Sequence, residues 1–420
     1  MAQPSLDRLQ ELLQWTFTER APADVRDKAR LLLLDTLGCA LAGLGHPTVR
    51  RLASALGGLD GISGGALLAT AACWDEACEG LARAHGRPGV PVIAACLALG
   101  MPRGLTLGQM LDALVTGYEI GGRMGEALRI RPGMHVDASW PALGVAAGTV
   151  RLLGGSAGEA LSAVEIAACQ VPFSLYLPVE QGADSRNTYL GHAAWLGAFA
   201  AFAAIAGSKA PSGAIERFAS LALGLQGELS MAPESEYVIR EAYLKSFAAV
   251  RHVHYGALAA LRLRDEIPDL TAIESIELAI YPEALTYCAN RAPRSAIQAQ
   301  FSLSFGLAAA LRFGRLGPEA YRAPQFDDAQ LRRLESMVKI RADESFGANG
   351  RRAAALAIRA GELILEQRVD AIPPLTREQC RGKFVANALP RLGAAAAGAL
   401  ADQILTAPET EKLRIEWHVD

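Results

Sequence analysis

The densest group of residues that could perform chemistry lies in the segment 245–254, Lys-Ser-Phe-Ala-Ala-Val-Arg-His-Val-His. It contains Lys245, Arg251, His252 and His254 between apolar, helix-forming stretches. Buried cations need an anionic partner, so these residues indicate either protein carboxylates or an anionic ligand. Arg251 has a planar fork that suits a carboxylate, and a desolvated lysine such as Lys245 can act as a base. An exposed loop with incidental charge explains the segment equally well.

Other cations and histidines lie near predicted helix ends. In the loop Arg-Pro-Gly-Met-His, His135 can serve as a general acid or base, or it can cap the following helix. Arg186 precedes a helix start, where it can bind a carboxylate or take part in capping. Glu79 and Arg87 belong to a polar, glycine-containing stretch that a solvated loop also explains. Each of these positions alone leaves both interpretations open.

The common cofactor and metal patterns are missing from the sequence. It contains no dinucleotide fingerprint after a strand, no P-loop, no His-Glu-x-x-His and no Gly-x-Ser-x-Gly. We therefore predict neither a cofactor nor a metal. The 41 basic and 44 acidic residues form no basic tract, which makes nucleic acid a poor candidate partner.

The same sequence predicts a cytoplasmic protein. Seven cysteines without a Cys-x-x-Cys pair disfavour disulfides and fit a reducing compartment. The N-terminus has no secretory pattern. The apolar tract at 193–206 spans 14 residues, which is shorter than the roughly 20 needed to cross a bilayer. We therefore expect no membrane association.

Helices are the main elements that must position the candidate residues. Aromatic residues make up only 6% of a chain rich in alanine and leucine, which favours helices over strands. Apolar periodicity predicts two helices within 5–45 and further helices at 105–131, 139–153, 156–170, 188–207, 298–313, 328–336 and 380–405. Alternating apolar and polar residues predict strands at 272–281, 337–341, 353–359 and 363–369.

These elements predict a mainly α fold with two domains. The length of 420 residues exceeds the roughly 250–300 at which one hydrophobic core stops growing. We predict a large all-helical domain formed by residues 1–265 and 376–420. A smaller α+β lid domain is expected at residues 266–375.

Taken in order, several segments resemble the MmgE/PrpD superfamily, which includes 2-methylcitrate dehydratase, cis-aconitate decarboxylase and iminodisuccinate epimerase. The resemblance covers nearly the whole chain, through the segments 33–43, 86–99, 116–120, 133–135, 191–194, 245–254, 299–305, 373–374 and 383–384. It implies a large helical domain, a smaller α+β lid domain and a homodimer. It also implies a site between the domains that needs neither metal nor nucleotide.

The resemblance assigns roles position by position. The catalytic residues it implies are Lys245, His135 and His254, and the substrate-binding residues are Arg186, Arg87, Arg251, His252 and Glu79. The sequence departs from the family pattern where Arg87 replaces a common histidine, Arg186 replaces a lysine and Phe305 replaces a frequent tyrosine. These departures disfavour 2-methylcitrate dehydration and retain cations for carboxylates.

The functional hypothesis is a cofactor-independent lyase or isomerase that removes a proton next to a carboxylate of a small di- or tricarboxylate. Positive charge would stabilise the enediolate, Lys245 or His135 would take the proton, and His254 would return one. Dehydration, epimerisation and decarboxylation all fit this scheme. The alternatives are an iminodisuccinate epimerase-like activity, a non-catalytic carboxylate-binding member of the family, and an all-helical interaction scaffold.

Overall fold

Helices account for most of the chain, as the composition predicts. The structure, a computed structural model, describes residues 3–415. Eleven α-helices precede residue 250 in this described part: α1 (Gln3–Thr18), α2 (Ala23–Gly43), α3 (Pro47–Leu56), α4 (Gly61–Cys73), α5 (Gly89–Gly100), α6 (Leu107–Ala127), α7 (Pro141–Leu152), α8 (Ala157–Ala168), α9 (Leu177–Gln181), α10 (Tyr189–Ile205) and α11 (Ala214–Phe218). Helix α6 begins with a capping box in which Thr106 and Gln109 bond each other's backbone N–H, and this satisfies two donors that a helix start leaves free.

Small residues let the central helices approach closely. A Cβ atom on Gly144 of α7 would lie 2.5 Å from the carbonyl oxygen of Gly117 in α6. A Cβ atom on Gly197 of α10 would lie 2.4 Å from the carbonyl oxygen of Ala142 in α7. Any larger residue at these glycines would push the backbones apart. The α6, α7 and α10 bundle therefore forms a rigid wall for the residues at its helix ends.

A four-stranded sheet with its own helices follows. Its elements are α12 (Arg251–Arg264), β1 (Ile273–Ile280), α13 (Pro282–Cys288), α14 (Ala296–Gln300), α15 (Leu303–Phe313), α16 (Ala329–Met337), β2 (Val338–Ala342), β3 (Ala354–Ala360) and β4 (Leu363–Val369). The strand order is β2-β1-β3-β4, with β1 parallel to β2 and antiparallel to β3. All four predicted strands are confirmed within about one residue of their ends.

The helix predicted over 298–313 is interrupted. Helix α14 ends at Gln300, and α15 begins after Ser302, whose hydroxyl accepts a hydrogen bond from the backbone N–H of Phe305 at 3.2 Å. A serine in this position favours a new helix start over continuation of the old helix. The interruption brings Phe301 to a cavity wall.

Helix α12 packs against α15, β3 and β4. Our sequence boundary at 265/266 assigned this helix to the helical domain, whereas its packing places it on the sheet. We therefore use "α+β unit" for residues 251–369 and "helical unit" for α1 to α11 together with the last helix. Residues 219–250 connect the two units.

The last helix returns to the helical unit. Helix α17 (Arg377–Thr406) packs against α2, with a kink at Gly393, whose φ is 73°. Lys383 of α17 donates from Nζ to Asp35 at 2.6 Å and to the carbonyl oxygens of Ala77 at 2.6 Å and Lys245 at 3.0 Å. These bonds fix the backbone close to Glu79 and at Lys245, two of the predicted site residues.

By length and composition alone, two helical stretches among the described residues could cross a membrane. They are Asp184–Ile205 and Arg377–Thr406, and the bent pair of α2 and α3 would make a third if counted as one span. Within the structure, 56% of the apolar window in the first stretch is buried. Helix α10, its main part, packs against α4, α7 and α8.

Candidate active site

A cavity of about 370 Å³ lies where the helical and α+β units meet. Its size is in the range of small-molecule sites. The helical unit and its connecting segment contribute Glu76, Arg87, His135, Asp137, Arg186 and Lys245. The α+β unit contributes Arg251, His252, Glu283, Tyr287, Phe301 and Arg352. Six of the eight predicted site residues therefore line one cavity.

Glu76 lies at the centre of a buried ionic network in the deep part of this cavity. Its carboxylate accepts hydrogen bonds or ion pairs from Lys245 Nζ at 2.5 Å, Arg186 Nη2 at 2.6 Å and Arg87 Nη1 at 3.0 Å. Burial opposes ionisation of Glu76, but the charges of Arg186, Arg87 and Lys245 outweigh it and hold the pKa of Glu76 well below its usual range. The carboxylate is therefore a fixed negative charge.

Asp137 is the second buried carboxylate of the network. It pairs with Arg87 through Nη2, and Arg186 Nη2 lies 3.5 Å from it. Burial raises the pKa of Asp137, but Arg87, His135 and Arg186 together lower it by more than burial raises it, so the net shift is downward. Three cations and two carboxylates thus leave one unit of positive charge in the deep part of the cavity.

His135 is held on a short loop after Gly133, whose φ of 85° favours glycine. The backbone N–H of His135 donates to the carbonyl oxygen of Ser174 at 2.9 Å, and its ring Nδ1 accepts from the backbone N–H of Asp137 at 3.2 Å. Burial lowers the pKa of His135 to about 4. The neutral ring therefore carries its proton on Nε2, where it can donate a hydrogen bond.

The start of α12 brings Arg251 and His252 to the cavity. The Arg251 guanidinium lies over the Tyr243 ring, 4.3 Å from its centroid, and makes no hydrogen bond to any residue in 3–415. His252 Nδ1 lies 2.6 Å from the hydroxyl oxygen of Tyr281, and its ring stacks on Tyr287. Burial, with smaller contributions from nearby cations, lowers the pKa of His252 to about 3, which makes it a neutral ring.

His254 does not line the cavity. On a helix, residues two apart point to different faces, so His252 and His254 cannot both face the ligand. The His254 side chain is fully buried, with Nε2 at 3.1 Å from the carbonyl oxygen of Ala249 and its ring against Phe247. The catalytic position predicted for His254 is therefore not supported by its location, and His252 occupies the cavity side instead.

Glu79 also lies outside the cavity lining. Its Oε1 accepts from the N–H groups of Gly89 at 2.9 Å and Val90 at 3.2 Å, and its Oε2 accepts from the Tyr118 hydroxyl at 3.3 Å. These bonds satisfy free donors at the start of α5. Burial raises the pKa of Glu79 to about 7. Its contacts are those of a structural residue, and the substrate-binding position predicted for it is not supported.

Phe305, which replaces a frequent tyrosine of the family, is also outside the cavity lining. It is fully buried and packs against Tyr321 and Phe326. Phe301 lies at the cavity instead, where its ring is 5.3 Å from the Arg186 guanidinium.

Several cavity residues were not predicted from the sequence. Glu76 and Asp137 lie close in the chain to the predicted Glu79 and His135, and the need of buried cations for carboxylates was the available signal. Glu283 begins α13 and Arg352 precedes β3, and their side chains pair at 2.9 Å. No motif marks these two positions, since only the sheet brings them together.

The cavity has an excess of positive charge. Six lining residues are cationic and three are carboxylates: Arg87, Arg129, Arg186, Lys245, Arg251 and Arg352 against Glu76, Asp137 and Glu283. Such a lining suits an anion with more than one negative charge. Within residues 3–415, no group of three or more histidine, cysteine, aspartate and glutamate side chains is placed to hold a metal ion.

Comparison with protein-family models matches both parts of the chain. Residues 59–227 match the MmgE/PrpD N-terminal domain, and residues 247–406 match the MmgE/PrpD C-terminal domain. Lys245 and Tyr243, whose ring lies under the Arg251 guanidinium, fall between the two matches. A comparison with curated proteins gave no match.

Proposed function

Because the chain belongs to the MmgE/PrpD superfamily, whose members are dehydratases or related enzymes, we propose that it is a cofactor-independent lyase or isomerase. Its substrate is a small di- or tricarboxylate, and its reaction begins with loss of a proton next to a carboxylate. The observation that supports this most is the cavity lining, where cations exceed carboxylates by three. A neutral or singly charged substrate would leave this charge uncompensated.

Positive charge in the deep part of the cavity has a defined purpose in such a reaction. Removal of the α-proton moves the C–H electron pair into the carboxylate and produces an enediolate with two negative charges. Because Lys245 Nζ donates a hydrogen bond to Glu76, the lysine provides the positive charge of an ammonium group and has no lone pair with which to take a proton. Together with Arg87 and Arg186 it would stabilise the enediolate more than the ground state.

Proton transfer is best assigned to the two neutral histidines of the cavity. If Tyr281 accepts from Nδ1–H of His252, Nε2 has a free lone pair and takes the substrate proton. Burial is the largest cause of the low pKa of His252, and bound carboxylates would offset the smaller contributions of Arg352 and Lys245 and so raise this pKa. His135 would then give its Nε2 proton to the departing group or to the opposite face. This proposal differs from the sequence prediction, in which Lys245 or His135 takes the proton and His254 returns one.

Two outcomes follow from one enediolate. Loss of a β-hydroxyl, protonated by His135 and released as water, gives a dehydratase. Return of a proton to the opposite face gives an epimerase, as in an iminodisuccinate epimerase-like activity. A decarboxylase would use the same cations without the first proton loss: carbon dioxide leaves, its C–C electron pair stays on the carbon, and a proton from a cavity histidine takes its place. Arg87 occupies the position of a common family histidine and is paired with Asp137, so 2-methylcitrate dehydration is disfavoured.

A second candidate is a carboxylate-binding protein without catalysis. Arg87 and Arg186 are each paired with Glu76 and lie beside Asp137. This pairing reduces the charge available to a transition state, and it favours ligand binding alone. The two candidates differ in whether the α-proton of a bound carboxylate exchanges.

Proton NMR in deuterium oxide tests the proposal with a panel of di- and tricarboxylates. We expect loss of one α-proton signal with wild type, with or without net turnover. Lys245→Gln should abolish this exchange, whereas Lys339→Gln, at an exposed position on β2, should retain it. Thermal stabilisation by a panel member without any exchange or turnover would refute the enzyme and support the binding protein.

We also propose a cytoplasmic homodimer. Large apolar side chains are exposed on α10, where Trp195 and Phe199 stack at 5.3 Å, and on the preceding segment at Phe173 and Leu175. The Tyr189 hydroxyl donates to the carbonyl oxygen of Leu175, which joins the two parts into one face. A second copy would cover this face. Light scattering should give twice the chain mass, and a monomer mass for wild type would exclude the dimer.

A further inference from the structure

Two guanidinium groups of the α+β unit face the cavity with unused donors. Arg251 begins α12, and Arg352 lies in the loop before β3, 5.8 Å from the centroid of the Tyr281 ring. Arg352 donates one hydrogen bond, from Nη2 to Glu283 at 2.9 Å. Within residues 3–415, Arg251 makes none. Since each guanidinium has five N–H donors, most of them remain available to a ligand.

The deep cations differ from this pair. Lys245, Arg87 and Arg186 are each bonded to Glu76. Their geometry is thereby fixed before any ligand binds, and their donors are partly used.

Apart from Arg129, which is exposed and donates to the carbonyl oxygen of Arg83, the charge of the cavity is divided between its two ends. At the α+β end, Arg251 and Arg352 face one carboxylate, Glu283, which leaves one positive charge. The deep network likewise leaves one positive charge. A ligand with a carboxylate at each end would compensate both.

We propose that Arg251 and Arg352 form the receptor for a second substrate carboxylate, distinct from the one that becomes the enediolate, and that Glu283 limits its affinity. This proposal rests on the proposed function, and it assigns to that function the residues that bind the second carboxylate of its substrate. Arg352 acts as a specificity-determining residue. Glu283 holds Arg352 in place, but its negative charge opposes the incoming carboxylate.

The two members of this ion pair should therefore have opposite effects. Removing Arg352 removes charge-assisted hydrogen bonds to the second carboxylate. Removing the charge of Glu283 removes its repulsion of the incoming carboxylate and weakens the bond that holds one donor of Arg352. A purely structural ion pair would behave differently, because either substitution would break it and both would weaken binding alike.

Calorimetric titration with glutarate and glutaramate tests this difference. The probes have the same chain length and differ in the second negative charge. We expect wild type to prefer glutarate by about 10-fold, the order of magnitude contributed by one hydrogen bond to a charged group. Arg352→Gln should remove most of this preference without changing glutaramate binding, and Glu283→Gln should increase it several-fold. Arg359→Gln, at an exposed position on β3, is the matched control and should change neither.

Three results would overturn the receptor. They are the absence of any glutarate preference or binding in wild type, a shift in the same direction for Arg352→Gln and Glu283→Gln, and an equal shift for Arg359→Gln. Circular dichroism of each variant verifies folding. The proposed reaction is judged separately by deuterium exchange, so charge-selective binding without exchange would leave the receptor standing and refute the chemistry.

Discussion

Glu76→Gln tests the charged network at the base of the cavity. The substitution keeps the shape of the side chain and removes the charge that Lys245, Arg87 and Arg186 share. Only Asp137 would remain to compensate three buried cations. Removal of one partner from a buried ion pair costs roughly 3–5 kcal/mol, because the other charge stays buried without compensation. We expect a loss of unfolding free energy in this range.

Urea denaturation of wild type and variant at neutral pH measures the loss. Glu241→Gln is the matched control, because Glu241 is exposed and pairs with Arg83 at 2.8 Å. An exposed pair contributes about 1 kcal/mol or less. Formate at constant ionic strength should stabilise Glu76→Gln more than wild type, since it can replace the missing carboxylate. If Glu76→Gln lost no more than Glu241→Gln, the charged network described here would be wrong.

Further predictions concern pH, ligand binding and packing. The pKa of His135 is about 4 in the folded protein and 6.5 for the free side chain. Between pH 6.5 and pH 4 the unfolded chain therefore binds more protons than the folded protein does, and His135 lowers the unfolding free energy as the pH falls. Relative to His135→Asn, wild type should lose on the order of 3 kcal/mol between pH 6.5 and pH 4 in urea titrations, and a constant difference would contradict this. Arg251→Gln should change the unfolding free energy by less than about 1 kcal/mol, since its guanidinium has no hydrogen bond within residues 3–415, yet it should abolish thermal stabilisation by glutarate. Gly144→Ala should destabilise the protein by about 1–3 kcal/mol through its contact with α6. Gly158→Ala on α8, where the nearest neighbour of an added Cβ would be Ser156 Oγ at 4.0 Å, should be neutral or stabilising.

Periodicity was sufficient to predict the four strands of the α+β unit. Strand β3 alternates buried and partly exposed residues from 354 to 358, and this pattern is visible in the sequence. Strand β1 alternates only in part, because its last three residues, 278–280, are all buried. The break between α14 and α15 escaped prediction because it depends on one capping bond of Ser302. The packing of α12 on the sheet also escaped, since the apolar pattern of a helix does not say which neighbour it contacts.

Residue type was a weaker guide to the site than position in the fold. His252 and His254 are chemically identical, and only the orientation of α12 separates the cavity side from the core. Glu76 and Glu79 lie in the same acidic loop, yet the first pairs with cations and the second bonds backbone N–H groups of α5. Arg352 is more than 100 residues from Arg251 in the chain, and only the sheet brings it to the cavity.

A crystal structure with propane-1,2,3-tricarboxylate bound tests the central claim most directly. That claim is that the cavity between the two units binds a small carboxylate with its reacting carbon beside His252. The account predicts one carboxylate within hydrogen-bond distance of Lys245, a second between Arg251 and Arg352, and His252 Nε2 beside the carbon next to the first. A ligand bound outside this cavity, or one whose carboxylates avoid these cations, would contradict it.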